Sequence, residues 1–461
     1  MSDYTAFLHQ KHILAQPSGF SVPLETLNPH AFDYQRAIVR WALQRGKAAI
    51  FSRYGTGKTL MQLDWADQVC KHTGGDVLIL APMAVARQTQ QEGAKFGIPV
   101  TVCRSAADLA PGINVTNYEL LHKFPLEHFA GVVLDESSIL KHIESKTRGA
   151  MLESFARTPY KLCCTATPSP NDHVELGGHA EFLGVLSQSE MLATFFTHDG
   201  GDTSKWYLKQ HARADFWRWV ASWAVMLRTP ADLGYDDSRF QLPPLRMHEH
   251  MVTTDAPTQG FLFAVEALTL TERRGARRES LADRVQVAAD LVNGGTDRWL
   301  VWCNLNDESA ALKAAIPDAV EVRGSDSPEH KAQAMMDFAE GRLRVLVSKP
   351  SICGFGMNFQ VCHKMAFVGL SDSFEEMDQA LHRCYRYGQT SPVDVHVIVA
   401  ETEGAVVRNI QRKRAQNAQM AEELVAHIAV HYDATGLTRS ALVYQPRHVI
   451  SLPDWLRSEA A

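Results

Sequence analysis

The sequence predicts an α/β protein made of two parallel-sheet domains in tandem, with a helical insertion at the end of the first domain. Two observations lead to this class. Short apolar or β-branched runs alternate with helical patterns in both halves of the chain, and a glycine-rich loop follows the first run. A third is the length of 461 residues, which at roughly 100–200 residues per domain allows more than one buried core.

The predicted strands are short and apolar, which is typical of parallel strands covered by helices on both faces. They cover residues 48–52, 77–82, 132–135 and 161–165 in the first half, and 299–303, 319–323, 345–348, 365–369 and 393–399 in the second. Helical patterns lie between them, for example at 60–70 and 327–341. Each half therefore predicts a sheet of its own.

The composition changes between the two sets of strands. Segment 181–228 is rich in Trp, Phe and Leu at helical spacing, and segment 232–244 is rich in Gly, Asp and Pro. The helical spacing favours an insertion core over a surface for a partner or nucleic acid. The expected segments are an N-terminal domain at 1–180, a helical insertion at 181–235, a linker at 236–260, a C-terminal domain at 261–415 and a tail at 416–461.

Composition and charge narrow the classes of function. The chain is 45% hydrophobic and 21% charged, and its 46 basic against 52 acidic residues give a net charge of −6, which argues against a protein that coats nucleic acid nonspecifically. The N-terminus lacks a secretory pattern and the apolar runs are too short for a bilayer, so we expect a cytoplasmic protein without a membrane partner. The eight cysteines form no C-x-x-C pair, which favours buried free thiols over a zinc site or disulfides.

The glycine-rich segment SRYGTGKT at 52–59 follows a predicted strand and precedes a helical pattern, as a phosphate-binding P-loop does. Its glycines let successive backbone N–H groups face the phosphates, while the helix N-terminus favours their negative charge. We expect Lys58 to reach the β and γ phosphates and the Thr59 hydroxyl to bind Mg²⁺. The alternative is a glycine-rich turn without a ligand. The predicted ATP-binding residues of this loop are Gly55, Thr56, Gly57, Lys58 and Thr59.

A second acidic element follows the predicted strand at 132–135. Asp135 is expected to bind Mg²⁺ together with Thr59, and Glu136 to polarise the water that attacks the γ phosphate. An exposed acidic turn is the alternative for this pair taken alone. The two elements together, at a plausible separation on parallel strands, indicate hydrolysis of ATP with Mg²⁺ as cofactor.

These residues also carry a resemblance to a family. The segments DESSILK at 135–141 and TATPSPN at 165–171 resemble motifs II and III of superfamily 2 helicases, and among these most resemble the Swi/Snf-type DNA-dependent ATPases. The resemblance implies two RecA-like domains with ATP between them. The brevity of the chain indicates a minimal bacterial or phage version. One departure is that motif II lacks the histidine usual after D-E-x, for which Ser138 is the expected substitute.

The second half extends the resemblance. QALHRCYRYGQ at 379–389 matches all six fixed positions of motif VI, Q-A-x-x-R-x-x-R-x-G-Q, and SKPSICGFGMN at 348–358 resembles motif V. The resemblance implies that Arg383 and Arg386 are catalytic, and that Gly356 and Gln379 bind ATP. For the two arginines the alternative is a solvated helix face.

Further matches imply binding residues. Gln35, upstream of the P-loop, resembles a glutamine motif that contacts adenine. Residues in other segments that resemble motifs of the family are implied to contact the nucleic-acid backbone. A basic helical segment around residues 408–414 gives either further phosphate contacts or a solvated face. The nucleic-acid-binding residues predicted in this way are Pro82, Thr116, Asn117, Thr165, Thr167, Asn358, Arg412 and Lys413.

The leading function is an ATP-dependent translocase or remodelling ATPase on double-stranded DNA, active at the nucleoid of a bacterial or phage-infected cell. Two other functions stay open: a strand-separating helicase on DNA or RNA, and a nucleotide-switched subunit of a larger phage or defence assembly. A protein partner would bind the insertion or the tail, because the two motor domains occupy most of the length.

Overall fold

The computed structural model describes residues 14–82, 85–141, 146–169, 172–199, 202–253, 278–354, 357–371, 373–401 and 404–432. Among the predicted site residues, Gly356 lies outside these ranges, as does most of the predicted tail at 416–461. Within the described ranges, no helix combines the length and the apolar composition that crossing a bilayer requires.

Fifteen strands are present in the described residues. They are β1 (Lys47–Ser52), β2 (Val77–Ala81), β3 (Val100–Val102), β4 (Ile113–Asn117), β5 (Gly131–Asp135), β6 (Tyr160–Thr165), β7 (Phe196–Asp199), β8 (Asp202–Leu208), β9 (Ala224–Leu227), β10 (Leu245–Val252), β11 (Trp299–Cys303), β12 (Ala319–Val322), β13 (Val345–Ser348), β14 (Lys364–Val368) and β15 (Val393–Ala400).

The α-helices of the same residues number thirteen. They are α1 (Asp33–Arg45), α2 (Lys58–Thr73), α3 (Ala86–Lys95), α4 (Lys146–Ser154), α5 (Leu176–Leu183), α6 (Gln188–Phe195), α7 (Arg213–Ala221), α8 (Leu281–Asn293), α9 (Asn306–Ala315), α10 (Pro328–Ala339), α11 (Pro350–Cys353), α12 (Phe374–Leu381) and α13 (Gly404–Tyr432). Short 3-10 turns, such as Ser137–Lys141, connect several of these elements.

Two parallel sheets form the framework, as the sequence predicts. The first has seven strands in the order β3-β4-β2-β5-β6-β1-β9, and the second has six in the order β10-β15-β14-β11-β13-β12. Every pairing within them is parallel. All five residues of β2 and of β11 are buried, because helices cover both faces. The nine strands predicted from apolar runs are all present, with ends within one residue of the prediction.

The segment predicted as a helical insertion also contributes to the first sheet. Within 181–235 the chain forms helices, an antiparallel hairpin of β7 and β8, and the edge strand β9, which pairs with β1. The predicted linker at 236–260 contains β10, which pairs with β15. Neither strand has a strong sequence signal, because β9 is four residues long and β10 has charged and histidine residues between its apolar ones.

The aromatic residues of this segment form core, as the sequence predicts. Phe216, Trp217, Trp219 and Trp223 are each at most 1% exposed, whereas Trp206 is only partly buried on the hairpin. All eight cysteines are free, and seven of them are buried. The aromatic cluster therefore contributes to the stability of the first domain rather than to its surface.

Helix α13 connects the two domains. Its first half places Val406 and Ile410 in the core of the second sheet, and its second half places Met420 and Leu424 in the core of the first. Near that end, Arg213 of α7 forms an ion pair with Glu423. The helix continues well beyond residue 415, where the sequence predicts the end of the second domain.

Candidate active site

The P-loop connects β1 to α2, and two glycines make its bend possible. Gly55 and Gly57 have φ angles of 84° and 82°, a left-handed conformation that a side chain would strain. A Cβ on Gly57 would also overlap the side-chain amide of Gln35, and one on Gly55 would lie 3.0 Å from the ring of Tyr387. The Lys58 amine donates to the carbonyl of Ser52 at 2.8 Å, so it folds back over the loop.

Two side chains of α1 support the loop from below. The Gln35 amide and the Tyr34 hydroxyl both donate to the carbonyl of Thr56, at 2.9 and 2.7 Å. The Gln35 carbonyl oxygen accepts the Phe32 N–H at 2.9 Å. Gln35 is 3% exposed, and its hydrogen bonds hold the P-loop in place. Its contact with adenine stays a prediction.

The two carboxylates lie at the end of β5, which is separated from the P-loop strand β1 by one strand, β6. The Gln62 amide of α2 donates to Asp135 at 2.7 Å, and the Tyr118 hydroxyl donates to the Asp135 carbonyl at 2.6 Å. Burial raises the pKa of Asp135, and the nearby Lys58 charge opposes this rise. Gln62 thus fixes the Asp135 side chain, and Tyr118 fixes its main chain.

Glu136 has an unusual backbone. Its φ of 54° is the only positive value among the non-glycine residues described, and such strain is common where a side chain must be held in one direction. Its carboxylate accepts from the Thr165 hydroxyl at 3.3 Å. Burial raises the pKa of Glu136 to about 7, with Lys58 opposing and Asp135 adding to the shift. A carboxylate with a pKa near neutrality is suited to accept a proton from water.

Thr59 and Asp135 supply a hydroxyl and a carboxylate oxygen, the type of ligand that Mg²⁺ prefers. Thr59 lies in the first turn of α2, directly after Lys58, and Asp135 ends β5. In the described part of the chain, no group of three or more His, Cys, Asp or Glu side chains is arranged to hold a metal ion. A magnesium bound here would therefore take most of its ligands from phosphate and water, as that ion commonly does.

The second domain brings its two arginines to this cluster. Arg383 is 5% exposed, and its Nε donates to the Gln379 carbonyl at 3.0 Å. Burial lowers the pKa of Arg383, whereas the nearby Tyr54, Glu136 and Asp135 raise it. Arg386 donates to Oδ1 of Asn358.

The positive charge of Arg386 also acts on Lys58 of the P-loop. Burial, followed by the Arg383 charge, lowers the pKa of Arg386 to about 10. Burial likewise lowers the pKa of Lys58, and Arg386 adds to that shift. Repulsion among three cations in one cleft is relieved when a polyphosphate enters. The cleft is therefore electrostatically suited to a nucleoside triphosphate.

Aromatic side chains form contacts between the two domains beside the P-loop. The ring of Tyr54 stacks on His382 with centroids 4.5 Å apart, and Lys58 lies over the same tyrosine ring at 5.1 Å. The Tyr387 hydroxyl donates to the Arg228 carbonyl at 3.0 Å. The P-loop and the motif VI segment are thus in direct contact.

Comparison with known proteins gives two relatives that align with most of the chain. A Bos taurus protein, SWI/SNF-related matrix-associated actin-dependent regulator of chromatin subfamily A-like protein 1, is 23% identical over 402 residues, covering 80% of this chain and 42% of the bovine protein. Protein p41 of Acyrthosiphon pisum secondary endosymbiont phage 1 is 22% identical over 467 residues, covering 85% of this chain and 97% of the phage protein. No protein-family model matches the sequence.

A solved structure supports the fold. Dbp5 of S. cerevisiae, bound to RNA and ADP BeF3, superposes with a TM-score of 0.55 at 12% identity, covering 86% of this chain and 93% of that chain. The chain is similar to superfamily 2 ATPases of the Swi/Snf type. The predicted resemblance, the tandem RecA-like fold and the predicted enzyme class agree with these relatives. The chain spans less than half the length of the bovine protein.

The residues predicted to bind nucleic acid fall into two groups, which differ in exposure. Thr116, Thr165 and Thr167 are each at most 1% exposed, so in this closed state none of them presents its hydroxyl to a phosphate backbone. The others, which lie at strand ends, in motif V or on α13, are partly or fully exposed. These accessible residues are Pro82, Asn117, Asn358, Arg412 and Lys413, and their binding role stays a prediction.

A buried histidine that the sequence analysis missed contacts motif II. Nε2 of His179, on α5, lies 3.1 Å from the hydroxyl of Ser137, and the imidazole is fully buried. This contact involves Ser137, whereas the role expected of Ser138 as substitute for the motif II histidine stays a prediction. Because His179 and Ser137 are 42 positions apart, no local motif signals the contact; the only hint is a histidine within an apolar helical run.

This histidine predicts a specific pH dependence of stability. Burial lowers the pKa of His179 to about 4, against about 6.5 in an unfolded chain. Its stabilising contribution is therefore complete above pH 6.5 and is lost as the pH falls towards 4. At one and a half units below 6.5, this amounts to about 2 kcal/mol. Between pH 7.5 and 5, His179→Gln should lose about 2 kcal/mol less stability in urea denaturation than the parent chain.

The control for this measurement is His122→Gln, since His122 is exposed. It should lose as much stability between the two pH values as the unmodified protein does. An equal loss in the His179 variant would show that the imidazole is protonated in the folded state.

Proposed function

We propose that the chain is an ATP-dependent translocase or remodelling ATPase on double-stranded DNA. It would hydrolyse ATP with Mg²⁺ in the cleft between its two RecA-like domains. The observation that carries this proposal is the convergence of Lys58, Glu136 and Arg383 in one buried cluster built from both domains. Such a site is complete only when the domains are closed.

Each residue has a role that its position suits. Gly55, Thr56 and Gly57 would surround the phosphates with backbone N–H groups, and Lys58 would neutralise their charge. Thr59 and Asp135 would hold Mg²⁺, which when bound supplies charge neutralisation on the phosphate oxygens. These assignments rest on the loop geometry, on the fixed Asp135 side chain and on the motif resemblance.

Hydrolysis itself would use residues on both sides of the cleft. Glu136 would orient the attacking water and accept its proton, since its carboxylate is buried at the edge of the P-loop cluster. Arg383 and Arg386 would stabilise the charge that develops on the transferring phosphoryl group. Because the arginines belong to the second domain, each cycle of closing and opening would couple hydrolysis to movement on the nucleic acid.

Double-stranded DNA is the preferred nucleic acid for two reasons: the motif VI form resembles the Swi/Snf type, and the bovine relative is described as a regulator of chromatin. The net charge of −6 suits a few contacts in a cleft better than a basic coat, whichever nucleic acid is bound. The Dbp5 structure holds RNA, which keeps an RNA-dependent activity as the second candidate.

The test is the ATPase rate with double-stranded DNA, single-stranded DNA and RNA measured in parallel with Mg²⁺ present. We expect the duplex to raise kcat more than either other nucleic acid, and we expect the stimulation to weaken as salt is added. Stimulation by RNA alone would contradict the choice of substrate. Turnover that responds to no nucleic acid would favour a nucleotide-switched subunit of a larger assembly, and no turnover at all would contradict the proposed hydrolysis.

A further inference from the structure

One ion pair joins the two domains beside the candidate active site. Lys141, five residues after Glu136, pairs with Glu375 at the start of α12. Their side chains are 18% and 12% exposed, so closure of the domains removes most of the water around both charges. Loss of either partner would leave the other charge desolvated and unpaired in the closed state.

Glu375 is also the end of a hydrogen-bond chain that reaches Glu136. The Thr167 hydroxyl donates to Glu375 at 3.4 Å, and the Thr167 N–H donates to the Thr165 hydroxyl at 3.2 Å. That hydroxyl in turn donates to the Glu136 carboxylate at 3.3 Å. The two threonines, predicted to bind nucleic acid, are thus engaged in a path between the domains.

A second path leads from Glu375 to the arginines. The side-chain amide of Gln379 donates to the Glu375 carboxylate at 3.5 Å, and the main-chain carbonyl of the same residue accepts from Nε of Arg383 at 3.0 Å. Glu375 therefore lies between the carboxylate proposed as the base and the arginine proposed to stabilise the phosphoryl group, although it belongs to neither motif as predicted.

We propose that Glu375 is a positioning residue that makes the alignment of Glu136 and Arg383 depend on domain closure. In the closed state its carboxylate fixes Lys141 and Thr167 on one side and Gln379 on the other. When the domains separate, the ion pair and the bond to Thr167 are lost together, so the site relaxes on both sides at once. This inference rests on the proposed ATPase function.

The test is a charge exchange. Lys141→Glu and Glu375→Lys are made singly and together, and two properties are measured: the amide hydrogen exchange of residues 137–141 and of α12, and the kinetics of ATP hydrolysis. We expect each single variant to exchange faster in both segments and to lower kcat about tenfold, within the usual range for coupling between two sites. The KM for ATP should change by less than about twofold, because the P-loop contacts remain.

The double variant restores the ion pair with reversed polarity. We expect it to recover slow exchange but to keep a kcat well below that of the parent chain, because an ammonium group at position 375 cannot accept from the Thr167 hydroxyl or the Gln379 amide. Single variants with unchanged exchange or unchanged kcat would overturn the proposal, as would a double variant that exchanges as fast as the single ones or that has the full parent kcat. If the parent chain hydrolyses no ATP, the proposed function fails, whereas the exchange measurements still decide whether the ion pair couples the two domains.

A neutral pair of variants on the same helix gives the matched control. Glu376 follows Glu375 directly, but its carboxylate accepts from the Ser371 hydroxyl of its own domain at 3.0 Å. Glu376→Gln should therefore keep both the slow exchange of residues 137–141 and the parent kcat. Glu375→Gln should raise that exchange and lower kcat, and equal behaviour of the two variants would contradict a role across the domain contact.

Discussion

Arg386→Ala is expected to lower the stimulated kcat about 10³-fold or more, since an arginine at the transferring phosphoryl group contributes about 10³–10⁵ in rate. This side chain donates to Asn358, and its pKa of about 10 keeps it charged at neutral pH despite burial. Because it lies in the second domain, the fold of the P-loop domain should be unaffected. The measurement is steady-state hydrolysis with saturating duplex and Mg²⁺.

Two further variants make the result specific to this position. Arg386→Lys keeps the charge but not the planar fork, so it should recover only part of the activity. Arg323→Ala removes an exposed arginine of the same domain, which pairs with its neighbour Glu321, and should retain the parent rate. Near-normal turnover of Arg386→Ala would contradict its role at the transferring phosphoryl group.

Glu136→Gln should lower kcat about 10²–10⁴-fold, the usual contribution of a general base, while ATP still binds. Glutamine keeps the shape and can still accept from the Thr165 hydroxyl. It removes the negative charge that faces Lys58 and Arg383, so binding of the anionic nucleotide should be equal or tighter. Hydrolysis is measured as above, and affinity with a fluorescent ATP analogue.

The control here is Glu127→Gln, because Glu127 is exposed on the surface of the same domain. It should behave as the parent chain does in both assays. A Glu136 variant that loses binding and hydrolysis together would place this carboxylate in nucleotide binding rather than in the chemical step.

The parts of the site that the sequence predicts are those formed by contiguous residues. The P-loop is such a case, because the positive φ angles of Gly55 and Gly57 follow from a local bend between a strand and a helix. The strand ending at Asp135 is another, since a fully buried parallel strand is one apolar run. Each of these features can therefore be recognised from one short stretch of sequence.

The parts that could not be predicted depend on residues far apart in the chain. The contact of His179 with Ser137 and the ion pair of Lys141 with Glu375 are created by packing between elements, which no short pattern records. Edge strand β10 was missed for a different reason: its outer side faces water, so its residues alternate in burial instead of forming an apolar run. The contact of Thr167 with Glu375 of the second domain likewise joins residues far apart in the chain.

Helix α13 fixes how its two ends are rotated relative to each other. Its 29 residues rise about 43 Å at 1.5 Å per residue, and its apolar contacts near residues 406–410 and 420–424 belong to different cores. One residue inserted between these contacts would rotate one end by about 100° relative to the other. The fit to both cores thus depends on the number of residues between these contacts, which a substitution leaves unchanged and an insertion or deletion does not.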